Sequence, residues 1–230
     1  MATVASLRAH LINELTDLLN AEEQLVDALP KMAERTSSPK LRAAFERHLT
    51  ETRIHAERLA EALKLLGEPA AGRTCEAMKG LLGEGHELME SGDSGSLLDA
   101  MLITAAQKVE HYEIASYGTV RTYAEVLGER GVARLLAQTL KEEKAADKKL
   151  SDIARGSLNK RAAKEWHKQQ DQAGLLERSA VWVGSAVGAA VGRVASDSQP
   201  HGKADRQGAR TKSRRDRAAD FRPSARTKKT

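Results

Sequence analysis

One cysteine, five prolines and an aromatic share of 3% are what this 230-residue chain has little of, and each scarcity excludes something. Cys75 alone cannot close an internal disulfide, which removes the disulfide-stapled secreted classes and points to a reducing cytoplasm. So few prolines among long stretches rich in Ala, Leu, Glu, Lys and Arg point to an all-helical protein. With 40% hydrophobic residues and almost no aromatics, the core must be built mainly from Leu, Ala, Val and Ile. The opening "MATVASLRAHLINEL" lacks the apolar core of a signal peptide, and no uncharged apolar run reaches the ~18–20 residues of a membrane span. A soluble bacterial-type cytoplasmic protein is the expectation. The length suits one ordinary domain plus an extension.

Charge is unevenly spread. Residues 201–230 hold eleven Lys and Arg against three Asp, a net of +8, so the other 200 residues contribute −3 to the chain's total of +5. A mildly acidic body with a basic tail is a different object from a uniformly basic protein.

Hydrophobic spacing predicts four long helices. The first runs from about Val4 to Met32 on an inward stripe of Leu11, Leu15, Leu18, Leu25 and Leu29, steps of three and four that keep one face inward. Pro30 is expected to bend or end it. The second opens at "SSPK", with Ser38 as N-cap and Pro39 in the first turn. Its stripe reads Leu41, Ala44, His48, Glu51, His55, Leu59, Ala62 and Leu66, and Gly67 closes it. Residues 75–91 read as a short connecting helix weakened by Gly80, Gly83 and Gly85. Ser96 with Asp99 forms a box-like start for the third long helix, Leu97 to about Val126, whose inward row is Ile103, Ala106, Glu110, Glu113 and Tyr117. A tight turn at 127–131 leads to the fourth, with Val132, Leu136, Leu140, Glu143, Asp147, Leu150 and Ala154 inward.

Each of these stripes is interrupted near its middle by carboxylate: Glu22, Glu51, Glu110 with Glu113, and Glu143. Two helices add a partner one turn on, His55 after Glu51 and Asp147 after Glu143. Two antiparallel hairpins would bring all four midpoints to one level. So many buried carboxylates would repel one another severely in a medium of low dielectric. Two divalent cations would neutralise four of the charges and occupy the oxygen lone pairs. Oxygen-rich ligation with about one imidazole suits iron or manganese, iron first, and the lone cysteine lies outside the four stripes. Di-iron four-helix bundles use inward carboxylates in this way. Their Glu-x-x-His spacing is not met here: Ile54 and Ala146 stand at the third position after Glu51 and Glu143.

The blocks "AEEQLVDALPKM", "AFERHLTET", "CEAMKGL", "AAQKVEHYEIASYGT" and "TLKEEKAADKKL" resemble the YciE/YciF family of bacterial stress proteins, in order over about residues 7–160. The resemblance implies a ferritin-like four-helix bundle with a dinuclear iron centre and a dimeric assembly. It implies acidic ligands at Glu22, Glu51, Glu110, Glu113, Glu143 and Asp147, and it would put Gln in many relatives where this chain has His55, a better metal ligand. The chemistry expected is oxidation of Fe(II) by oxygen or peroxide.

Around the ligands, Tyr117 is expected to support the carboxylates, and His48 to be a ligand or to fix a carboxylate, with packing near the bundle's edge the plainer role for His48. His111 should lie at the surface, Tyr112 in the core, and Cys75 with Met78 in a packed connector. The domain plan is a bundle over 1–157, a polar helix and glycine-spaced apolar segment over 158–200, and a disordered basic tail over 201–230. Gly184, Gly188 and Gly192 would let helices approach closely. In the tail, Arg214, Arg215, Arg217, Lys228 and Lys229 could neutralise phosphates and hold DNA without reading its sequence, since Phe221 is the tail's one aromatic. Two other classes of function remain: a DNA-associated stress protein tethered by that tail, and a metal-free structural bundle with its carboxylates protonated or paired to Lys and Arg.

Overall fold

The structure is a computed structural model that describes residues 5–71 and 73–172. The glycine-spaced apolar segment and the basic tail, Arg214, Arg215, Arg217, Lys228 and Lys229 included, lie outside the described residues. Five helices follow one another: α1 (Leu7–Arg35), α2 (Pro39–Leu65), α3 (Glu76–Ser91), α4 (Ser96–Val126) and α5 (Arg130–Ile153). A single π turn, Ala154–Leu158, follows α5, and residues 159–172 are again helical. No strand is present among the described residues.

The local signals for starting and stopping helices work as the sequence suggests at several points. Ser6 and Ser38 accept hydrogen bonds from the first turns of α1 and α2, and Pro39 occupies the first turn of α2, where its missing N–H costs nothing. Leu66 and Leu127 end α2 and α4 in the same way. The N–H of Glu68 bonds back to Leu63 and that of Glu129 to Ala124, across Gly67 and Gly128. Both glycines have φ near +77°, a conformation that penalises any Cβ.

Two expectations are corrected. Pro30 does not end α1, which continues to Arg35. The apolar stripe runs on through the buried Met32 and Ala33, and Arg35 donates to the carbonyls of Met89 and Gly92. That packing offsets the ~3 kcal/mol cost of an interior proline. Asp99 does not cap α4, which starts at Gly95 without a side-chain cap. It is buried instead and accepts from the hydroxyl of Thr36 at 2.5 Å and from the N–H and hydroxyl of Ser37 at 2.9 and 2.7 Å, holding the α1–α2 turn. The short connecting helix runs through Gly80, Gly83 and Gly85.

α1 with α2 and α4 with α5 form two antiparallel hairpins, packed so that α4 lies against α1 and α5 against α2. Arg8 near the start of α1 bonds the Leu66 carbonyl at the end of α2, whereas the start of α4 meets the end of α1 through Asp99. The connector containing α3 therefore runs the length of the bundle, the single long crossover of ferritin-like folds. Two apolar layers fill the interior. One gathers Leu25, Leu29, Met32, Phe45, Leu98 and Leu102; the other gathers Leu11, Leu15, Leu59, Leu63, Val120 and Leu136. Between them, where the stripes of four helices carry polar residues, sits the candidate site.

Candidate metal centre

Six ionisable side chains meet at mid-bundle, all buried: Glu22 from α1, His48 and His55 from α2, Glu110 and Glu113 from α4, and Glu143 from α5. Each falls on the inward row of its helix, three or four residues from an apolar neighbour, so the packing that buries the leucines buries them too. Their donor atoms form two groups, His48–Glu110–Glu113–Glu143 and Glu22–His55–Glu143, within each of which the atoms lie no more than 4.8 Å apart. Glu143 belongs to both. Its Oε1 is 2.8 Å from Nδ1 of His55, and its Oε2 is 3.8 Å from Nε2 of His48. His48 Nε2 also lies 3.3 Å from Glu110, and His55 Nδ1 lies 3.6 Å from Glu22.

These atoms approach one another without bonding. Nine buried side-chain nitrogens and oxygens of the six residues, both carboxylate oxygens of Glu113 and Glu143 among them, have no hydrogen-bond partner. Buried polar groups are nearly always satisfied, and each exception calls for a reason. Electrostatics says the same. Burial, followed by the charges of neighbouring carboxylates, raises the carboxyls of Glu110 and Glu113 well above the usual range. Burial also raises Glu22, against the pull of His55 beside it. For the histidines burial acts downward, but the carboxylates around them prevail. The charge of Glu110 and the nearby Glu51 hold His48 at about 9, and the carboxylates of Glu143 and Glu22 beside it hold His55 at about 10.

Around this core the chain supplies supports. Tyr117 donates its hydroxyl to Glu22 at 2.5 Å. The outward nitrogen of His55, Nε2, lies 2.9 Å from Glu142, whose carboxylate is gripped in turn by the guanidinium of Arg58. Arg58 and Glu142 were not singled out from the sequence. The only signals there were the acidic pair in "KEEK" and an arginine three residues after His55.

Four sequence expectations shift in place. The inward row of α2 passes through Thr52, not Glu51, whose side chain is 34% exposed and stands 3.7 Å from Nδ1 of His48. Asp147, 23% exposed, turns to the flank of α4, where Gln107 donates to it at 2.9 Å and His111 lies 3.6 Å away. Neither residue joins the two groups. His48 stands among the donor atoms instead of at the bundle's edge, because it is two helical turns from His55 on the same face. Tyr112 is half-buried, with its hydroxyl between Cys75 and Asp17.

Residues 6–163 match the family described as a domain of unknown function, DUF892. YciF of Escherichia coli (strain K12) is 48% identical over 163 residues, 70% of this chain and 96% of that protein. The chain belongs to this YciF family. The crystal structure of the E. coli stress protein YciF matches with a TM-score of 0.65 at 46% identity, over 68% of this chain and 99% of that one. YcfI of Rhodopseudomonas palustris, described with a suggested structural role, matches with a TM-score of 0.62 at 41% identity, over 64% and 94%. The family match ends near residue 163, so the basic C-terminal stretch of this member falls outside it.

Among the described residues, no helix is long and apolar enough to cross a membrane.

Proposed function

We propose that this YciF-family protein is a dinuclear metal protein of the bacterial stress response, with iron as the first choice of metal and manganese the second. The observation that carries the reading is the set of nine buried, unpartnered donor atoms. Four buried carboxylates balance the charge of two divalent cations, and a set of carboxylate oxygens with two imidazoles suits iron or manganese. The donor set fits the group. His48, Glu110, Glu113 and Glu143 would hold one ion, and Glu22, His55 and Glu143 the other. When bound, an iron pair supplies reducing electrons for oxygen or peroxide, as Fe(II) becomes Fe(III).

The chain's own residues prepare that chemistry. Glu142 accepts from Nε2 of His55 and so leaves Nδ1 to face the interior. Tyr117 fixes one oxygen of Glu22 and leaves the other free. The leucine layers above and below exclude water and keep the donor atoms from being solvated. Without metal, protons take the place of cations, which is what the raised carboxyls and histidines express.

The test is elemental analysis of untagged protein supplied anaerobically with Fe(II), followed by oxygen and peroxide consumption. About two metals per chain and oxidant uptake in step with iron support the reading; a metal-free protein defeats it.

A second reading rests on the +8 charge of residues 201–230. A polycation of this charge would tether the bundle to DNA through its phosphates. A salt-sensitive gel shift that disappears on removal of those residues supports tethering, and an unchanged shift refutes it. A cytoplasmic location and a homodimer belong to the same proposal, the latter checked by sedimentation.

A further inference from the structure

A cavity of about 240 Å³ opens beside the site, on the side of His48 and Glu110, which line it. Its walls come from all five helices and are mainly apolar, with Leu29, Met32, Phe45, Leu81, Val109 and Leu150 facing the space. Small residues at five further wall positions, Ala28, Ala44, Ala105, Ala106 and Gly85, keep it open. Its outer rim differs in character. Arg47 and Lys149 are exposed there and take part in no ion pair among the described residues, while the rim's one carboxylate, Glu51, stands against His48.

We infer that this cavity binds a medium-chain monocarboxylic acid, with its alkyl chain inside and its carboxylate at Arg47 and Lys149. An empty cavity leaves its apolar walls without the close contacts of a packed core, and an alkyl chain restores them. A cavity of roughly 150 Å³ lined by similar side chains accommodates benzene, so the larger space here suits a chain of about eight carbons. Between the His48–Glu110 end and the rim the walls offer a metal ion no ligands, and dioxygen needs no cationic rim. The head lies outward because the two exposed cations, Arg47 and Lys149, stand at the mouth, where a carboxylate also keeps part of its hydration. The inference does not depend on metal, since binding is read on the metal-free protein.

The experiment is isothermal titration of the full-length metal-free chain with hexanoate, octanoate and decanoate, and with octylammonium. One site is expected, with affinity rising about fourfold per methylene until the cavity is filled, and octylammonium binding at least tenfold more weakly than octanoate. Ala145→Trp, an exposed rim position, should block the mouth and weaken octanoate at least tenfold. Arg47→Glu with Lys149→Glu should do the same, and circular dichroism should show both variants folded. Absence of binding by all three acids overturns the inference. So does octanoate binding that ignores both variants, or equal binding of octylammonium.

Discussion

Glu142 lies 2.9 Å from Nε2 of His55 and thereby decides which ring nitrogen the bundle interior sees. Arg58 holds the carboxylate in place from the other side. The chain thus contains an Arg–Glu–His relay whose inner end, Nδ1 of His55, is one of the unpartnered donor atoms. Partners of this kind typically change metal affinity 10- to 100-fold when removed. Glu142→Ala should weaken Mn(II) binding by a factor in that range with the helical circular-dichroism signal unchanged. Unaltered affinity would mean that His55 is oriented by packing alone.

Glu143 is the one residue common to both donor groups. Glu143→Gln should therefore lower metal content below one ion per chain, whereas Glu51→Gln, on a partly exposed side chain at the rim, should leave it near two. Elemental analysis of the two variants side by side decides the point. Equal losses would place Glu51 among the ligands after all.

The pH dependence of stability follows from the protons held at the centre. His48 and His55 titrate at about 9 and 10 in the folded chain against 6.5 in the unfolded one. Glu22, Glu110 and Glu113 are raised above 4.5 as well. The folded metal-free chain therefore binds more protons than the unfolded chain, and stability falls as pH rises. The histidine contribution is complete below about pH 6.5 and lost as pH climbs through 9 to 10. The Tm of metal-free protein should be lower at pH 8.5 than at pH 6. Metal must displace these protons, so the Tm gain on adding Mn(II) should grow over the same interval. Differential scanning calorimetry checks both; a flat or rising Tm for the metal-free protein would contradict the charge picture.

Far from the centre, Asp99 accepts three hydrogen bonds from Thr36 and Ser37 while itself buried. Asp99→Ala strands those donors and should destabilise the protein by about 2–3 kcal/mol, measured by urea unfolding. Metal content should not change, which separates this fold clamp from the site.

The sequence made the four-helix plan legible because each stripe is long and regular. The same regularity exposed Glu22, Glu110, Glu113 and Glu143 as breaks in otherwise apolar rows. Glu51 was harder. Steps of three and four both keep a helix face inward, and the choice between Glu51 and Thr52 depends on how α2 is rotated against α5. Asp147 poses the same ambiguity one turn after Glu143 and resolves toward Gln107. His48 already stood on the inward stripe, two turns before His55, and only the packing of the other helices shows that both reach the donor atoms. The Arg58–Glu142 pair joins two helices 84 residues apart in sequence, a separation no local pattern encodes. Pro30 and Asp99 were read by local rules that long-range contacts override.

The most direct test of the central claim is anomalous diffraction from crystals of the full chain loaded anaerobically with Fe(II). Two anomalous peaks are expected, one on each side of the Glu143 carboxylate, the first among His48, Glu110 and Glu113 and the second among Glu22 and His55. No peak within the bundle, or peaks only at the exposed carboxylates of the surface, would contradict the account.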